Sequence, residues 1–132
     1  MIRSLLPILF VITGMFLPVQ FQSNLIGEVS GHFRSGNSKE IAKYFSSSIE
    51  LNLADQTDTY SKAQAEQILR DFFNKNLPVS STVIHLINTN PNYQIGILSV
   101  ITKTIKYRVT VTFKKSSGEF LITELRIEGD KS

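Results

Sequence analysis

The chain of 132 residues has no cysteine and no tryptophan. Without a thiol it has no disulfide scaffold, no thiolate zinc site, no cysteine nucleophile and no sulfur to carry a lipid or a haem. Charge is sparse as well. Only 19% of residues are charged, and 14 Lys plus Arg against 11 Asp plus Glu leave a formal net charge of +3. With seven Gly and four Pro, that balance excludes disordered, collagen-like and supercharged nucleic-acid-binding chains. The length admits one domain, since domains run to roughly 100–200 residues. No P-loop, Rossmann glycine fingerprint, G-x-S-x-G elbow or H-E-x-x-H motif occurs, so nucleotide binding, serine hydrolysis and zinc-protease chemistry have no basis here.

The apolar residues crowd the N-terminus. After Met1, Ile2 and Arg3, residues 5–17 are almost wholly apolar, and no further charge occurs before Glu28. The run is broken by Pro7, Gly14 and Pro18 and falls short of the roughly 20 apolar residues that a spanning helix needs. A basic start followed by a short apolar stretch is the pattern of a secretory signal peptide. It covers residues 1–23, with processing near Phe21 to Ser23 although no A-x-A-like triplet marks the site. An uncleaved N-terminal anchor is the alternative. Residues 24–132 then form one exported domain, periplasmic or extracellular, with no remaining membrane span. Its basic residues are scattered, and only Lys103, Lys106, Arg108, Lys114 and Lys115 gather, as they do where charge blunts a sheet edge. No nucleic-acid partner is expected.

The exported part divides into a helical front and a strand-rich back. Leu25, Ile26, Val29 and Phe33 recur at helical spacing, and Gly36 stands where a left-handed residue closes a helix. Asn37 and Glu40 have the spacing of a capping box for a second helix bearing Ile41, Tyr44 and Phe45. Residues 48–53 alternate as a strand, and residues 54–59 read as a polar loop. Ser61 and Gln64 form another capping box, opening a helix whose core face is Ala65, Ile68, Leu69, Phe72 and Phe73. Glu66 and Arg70 are spaced as an i,i+4 pair. Pro78 ends that helix. Residues 80–89 are β-branched and apolar on both parities, which predicts a strand covered on both sides. Residues 93–101 and 105–115 follow as strands, and Ser116 to Gly118 turn the chain into the last one, residues 119–128. There Phe120 and Ile122 share one parity while Leu125 and Ile127 share the other, so a bulge is predicted near Thr123 and Glu124. The order predicts an α+β domain in which a curved antiparallel sheet of four to five strands wraps two to three N-terminal helices.

The segments SGNSKEIAKYF (residues 35–45) and YSKAQAEQILRDFF (residues 60–73), with Ile84-His85, YRV (residues 107–109) and ELRIE (residues 124–128), resemble one bacterial family, domain of unknown function 4783. That family sits in the nuclear transport factor 2-like, or cystatin-like, superfamily, and the resemblance spans residues 26–128. It implies a cone of helices and concave sheet around a pocket open at one end. It implies no activity, because the superfamily contains isomerases, dehydratases, epoxide hydrolases, transport factors and plain binders.

Candidate site residues follow from side-chain chemistry. His85 lies within an apolar strand run and is a candidate ligand contact or proton carrier, although a lone imidazole there also serves as a hydrogen-bonded structural group. Tyr60, Tyr93 and Tyr107 place phenols toward a cavity mouth, and Arg126 is suited to a carboxylate. Tyr107 shares the parity of Val109 and Phe113, so it also reads as a core ring; Arg126 also reads as solvated. Among the acids only Glu124 is a pocket candidate, with surface pairing as its other role. Two distant His and no Cys give no metal signature, so neither metal nor cofactor is expected. The leading reading is a non-enzymatic exported module that takes a small apolar or amphipathic ligand, or a protein partner, in the cone or on the sheet face. The alternative is a cofactor-free isomerase, dehydratase or hydrolase with His85 as base and Tyr107 or Arg126 as electrophilic helper. Homodimerisation through the exposed sheet is a third arrangement.

Overall fold

The computed structural model describes residues 24–131, and the signal peptide expected at residues 1–23 lies outside them. Among the described residues the elements run α1 (Leu25–Arg34), α2 (Ser38–Ala42), β1 (Phe45–Leu53), β2 (Gln56–Ser61), α3 (Lys62–Lys75), β3 (Pro78–Asn90), β4 (Tyr93–Thr102), β5 (Lys106–Ser116) and β6 (Glu119–Gly129). No helix among them is long and apolar enough to cross a membrane.

The helix signals act as their chemistry dictates. α1 closes at Gly36, whose φ of +64° suits a residue without Cβ, and the Asn37 amide turns back to the His32 carbonyl at 2.9 Å. Asn37 then starts α2, its side-chain oxygen accepting the Glu40 amide at 3.1 Å. Glu40 does not reach back to complete the box. Its carboxylate pairs with Lys43 at 2.8 Å, and that hydrogen-bonded partner holds its pKa below the ordinary carboxylate value. Ser61 caps α3 in full. Its hydroxyl accepts from the Gln64 amide and the Gln64 side chain accepts from the Ser61 amide, both at 3.2 Å. Glu66 and Arg70 pair at 2.9 Å.

The sheet differs from expectation in two respects. Among the described residues it has six strands, in the order β2-β1-β6-β5-β4-β3, and it is mixed. β2 to β1 and β3 to β6 pair antiparallel, but the meander brings β6 back beside β1 in the same direction, with Leu51 opposite Leu125. The extra strand is β2, which occupies most of the stretch expected to be a loop. Ala54 and Asp55 form a two-residue hairpin with φ of 54° and 66°. That turn normally announces itself by Asn-Gly or Asp-Gly; here it has neither, and the strand after it lacks apolar alternation. α2 is also shorter than expected, because Phe45 already belongs to β1. The predicted bulge is present. Thr112 faces Glu124 and Phe113 faces Ile122, leaving Thr123 as the extra residue, and such an insertion bends a strand.

The core fills the concave side between sheet and helices. Val29 and Phe33 of α1, Leu69 and Phe73 of α3, and Val111 and Leu125 of the sheet are all but inaccessible. Phe33 and Phe73 meet edge to face at 5.5 Å. α1 reaches the β4 and β3 side through two contacts. Ile26 lies directly on Gly96, where a Cβ would overlap it, and the buried hydroxyls of Ser30 and Ser81 bond at 2.7 Å. Beyond Ser81, β3 is exposed to its end, which corrects the expectation of a strand covered on both sides. Among the described residues the core runs from Ile26 to Ile127 and the sheet from Phe45 to Gly129.

Candidate functional site

α3 lies across the concave sheet with Leu69, Phe72 and Phe73 inward, and its C-terminal half does not close onto the ends of β1, β5 and β6. A cavity of about 360 Å³ remains there, within the range of roughly 300–1,000 Å³ typical of small-molecule sites. Leu53, Ile68, Phe72 and Ile127 form its apolar walls, and Asp71, Lys75, Asn76 and Tyr107 supply its polar groups. Exposed Ala54 and Gly129 also line it, at its open side. A second cavity of about 160 Å³ shares Leu53, Ala54 and Ile68 and adds Leu51, Gln56 and Tyr60. The β1–β2 turn thus borders both. Its Ala54 occupies a left-handed conformation that disfavours a residue with Cβ by roughly 1–2 kcal/mol.

Tyr107 and Asn76 form the polar centre of the larger cavity. The phenol donates to Asn76 Oδ1 at 2.9 Å. Asn76 is itself fixed, because its Nδ2 and its backbone amide both donate to the Phe72 carbonyl, at 3.0 and 2.8 Å. The Tyr107 ring stands edge-on to Phe72 at 5.0 Å. Burial pushes the Tyr107 phenol up from its usual pKa, so near neutral pH it remains protonated. The pair therefore offers a ligand neutral hydrogen bonds: lone pairs on the phenolic oxygen and the second Nδ2 proton of Asn76. Asp71 is engaged by Gln67 Nε2 at 3.2 Å. Among the described residues no carboxylate is hydrogen-bonded to Tyr107, and no group of His, Asp and Glu is disposed to hold a metal.

Of the residues singled out in the sequence, Tyr107 lines the larger cavity and Tyr60 the smaller. His85 does not line either; it is exposed on β3, opposite Ile97. Arg126 is exposed between Asn52 and Thr110, on the side of β6 away from buried Leu125 and Ile127. Glu124, half-buried, shares that outer side next to Glu50 and Thr112. Tyr93 is exposed at the far end of β4. His85, Tyr107 and Arg126 are thus not assembled into one site. Asn76, Lys75 and Ala54 were not legible as site residues. An Asn after a helix reads as its stop, and nothing local says that a phenol 31 residues away bonds it. A second polar cluster lies on the α1 surface, where Tyr44 donates to Glu28 at 2.6 Å beside His32. Burial, and then the Glu28 bond, push the Tyr44 phenol up to about 12.

No protein of curated function matches the chain in sequence. Among solved structures, a DUF4783 family protein from Bacteroides uniformis ATCC 8492 is 26% identical with a TM-score of 0.77, over 83% of this chain and 100% of that one. A DUF4783 family protein from Bacteroides ovatus ATCC 8483 is 25% identical with a TM-score of 0.75, over 79% and 94%. An NTF-2 like protein of unknown function from Silicibacter pomeroyi DSS-3 shares the fold, at 9% identity and a TM-score of 0.57 over 80% and 90%. The family described as a domain of unknown function (DUF4783) matches residues 26–128. With helices packed in a curved mixed sheet and that match over most of its length, the chain belongs to the DUF4783 family and has an NTF2-like fold.

Proposed function

We propose that this protein is an exported, non-catalytic binding module that takes a small amphipathic ligand into the cavity beneath α3. The observation that carries the reading is the composition of that cavity: Leu53, Ile68, Phe72 and Ile127 around the fixed Tyr107–Asn76 pair. Apolar walls with a few oriented polar groups are the usual make-up of a ligand site. Binding is favoured over proton-transfer catalysis because Tyr107 donates to an amide oxygen, which is not a base near neutral pH. Export is supported by the basic start and the apolar run of residues 5–17.

Native mass spectrometry of protein recovered from its own host tests the reading. A small molecule that co-purifies with the natural sequence is expected to be absent from Ile68→Phe, whose ring occupies the cavity, and reduced in Tyr107→Phe. A bare mass in all three, with no binding of an apolar fluorescent dye that Ile68→Phe reduces, would reject it.

A further inference from the structure

The cavity opens at one end of the molecule, and the surface around that end carries its own pattern. Leu77 is 56% exposed, Val79 52% and Ile105 46%, which puts there three of the four most exposed large apolar side chains among the described residues; the fourth, Ile87, is on the far part of β3. The backbone ties these residues together. Pro78 pairs with Thr102, and the Thr102 hydroxyl holds the β4–β5 turn by accepting from the Ile105 amide at 3.1 Å and donating to the Ile105 carbonyl at 2.8 Å. Ile105 Cδ1 stands 3.7 Å from the place that a Cβ on Gly129, at the cavity, would take, and the Asp130 amide donates to the Lys106 carbonyl at 2.8 Å.

Lys75, Lys103, Lys106 and Lys131 stand on the same end, apart from the ion pairs Lys43–Glu40 and Arg70–Glu66. Three carboxylates are near. Asp71 is bonded to Gln67, Asp130 is itself engaged, and Asp55 lies across the opening on the β1–β2 turn. Lysines at a hairpin turn are explained by edge protection, but that does not account for Leu77, Val79 and Ile105 standing bare among them.

We propose that this end of the molecule docks on an anionic phospholipid surface. Leu77, Val79 and Ile105 enter the headgroup boundary, and the lysines contact lipid phosphate with their stems along the apolar surface. Four lysines against three nearby carboxylates leave the rim cationic on balance, and a cationic rim around exposed apolar side chains complements an anionic interface better than a neutral one. Docking there sets the cavity mouth against the membrane. The inference does not require the cavity to hold a ligand.

Flotation of protein beginning at Asn24 with vesicles tests it, one set equimolar in phosphatidylglycerol and phosphatidylcholine, the other phosphatidylcholine alone. Binding is expected to the first set only, and to fall with salt. Lys103→Gln and Lys106→Gln should each weaken it about fivefold. Leu77→Ser with Ile105→Ser should remove it, whereas Ile87→Ser, equally apolar but distant, should leave it unchanged, all with unaltered circular dichroism. No binding at low salt, equal binding to both sets, or equal loss in Ile87→Ser would overturn the proposal. So would a dimer in lipid-free sedimentation that the Leu77 and Ile105 substitutions dissolve, since the rim would then serve a second copy of the chain.

Discussion

The two edge strands of the sheet are protected in different ways. β2 has six residues, is polar along its length, carries Asp58 and is tethered by Tyr60 against the inner face. β3 has 13 residues, contains no Lys, Arg, Asp or Glu, and exposes Val83, Ile84, Leu86 and Ile87. A long uncharged apolar edge invites pairing with another chain. What β3 has in place of charge is irregularity, with breaks in register at residues 78–80, 83–85 and 87–90, and bulges twist an edge out of the flat geometry that a partner strand needs. The difference extends inward. Behind β2 lie β1, β6 and β5, backed by α3; β4 buries Leu98 and Val100, but α1 meets β3 at Ser81, beyond which β3 is exposed. Packing is therefore uneven, and stability is expected to be concentrated under α3.

The largest test of that contrast is Leu125→Ala. The side chain is fully buried on β6, and its truncation is expected to destabilise by about 2–5 kcal/mol, read as a fall in the urea midpoint. A loss below about 1 kcal/mol would mean that the α3 side is no better packed than the other. Next is Gly96→Ala, which drives a methyl into Ile26. Overpacking of this kind costs about 1–3 kcal/mol, and amide exchange should quicken in β3 while β1 and β6 keep their protection. Uniform quickening would show that the two sides do not loosen independently.

The third test uses pH. Tyr44 clips α1 to the start of β1 through Glu28. Its phenol holds its proton to a higher pH in the folded chain than in the unfolded one, because its pKa is raised from 10.0 to about 12. The associated stability is fully present below pH 10 and is lost as pH rises from there through about 12. Tyr44→Phe should flatten that decline in urea midpoint, and an unchanged slope would remove Tyr44 from the account. Smallest is Ile87→Lys on the free edge. Stability should move by no more than about 0.5 kcal/mol, while aggregation on heating, followed by light scattering, should decrease; a large destabilisation would show that the far part of β3 is packed after all.

Much of the fold was legible because its signals are local. Ser61 and Gln64 carry the whole capping box of α3 within four residues, Gly36 marks a turn that only a left-handed residue makes easily, and the parity switch from Ile122 to Leu125 records the bulge at Thr123. β2 was not legible, since its turn is made by Ala54 and Asp55 without glycine and its side chains alternate nothing apolar. The site was half legible. Tyr107 follows from strand parity and Tyr60 only from its phenol, but His85 looked buried because its neighbours are apolar, and an apolar strand at an open edge has the same composition as one in the middle.

The sequence by itself determined α1 and α3, the capping box of α3, the alternating strands and the absence of thiol chemistry, because each rests on residues a few positions apart or on composition alone. Only the tertiary structure decided that β1 lies parallel to β6, that the long strand is an edge, and that Asn76 accepts the hydrogen bond of Tyr107. Those outcomes depend on which distant segments compete for the concave face of one sheet. α3 covers part of that face, and the gap it leaves at the ends of β1, β5 and β6 is the cavity.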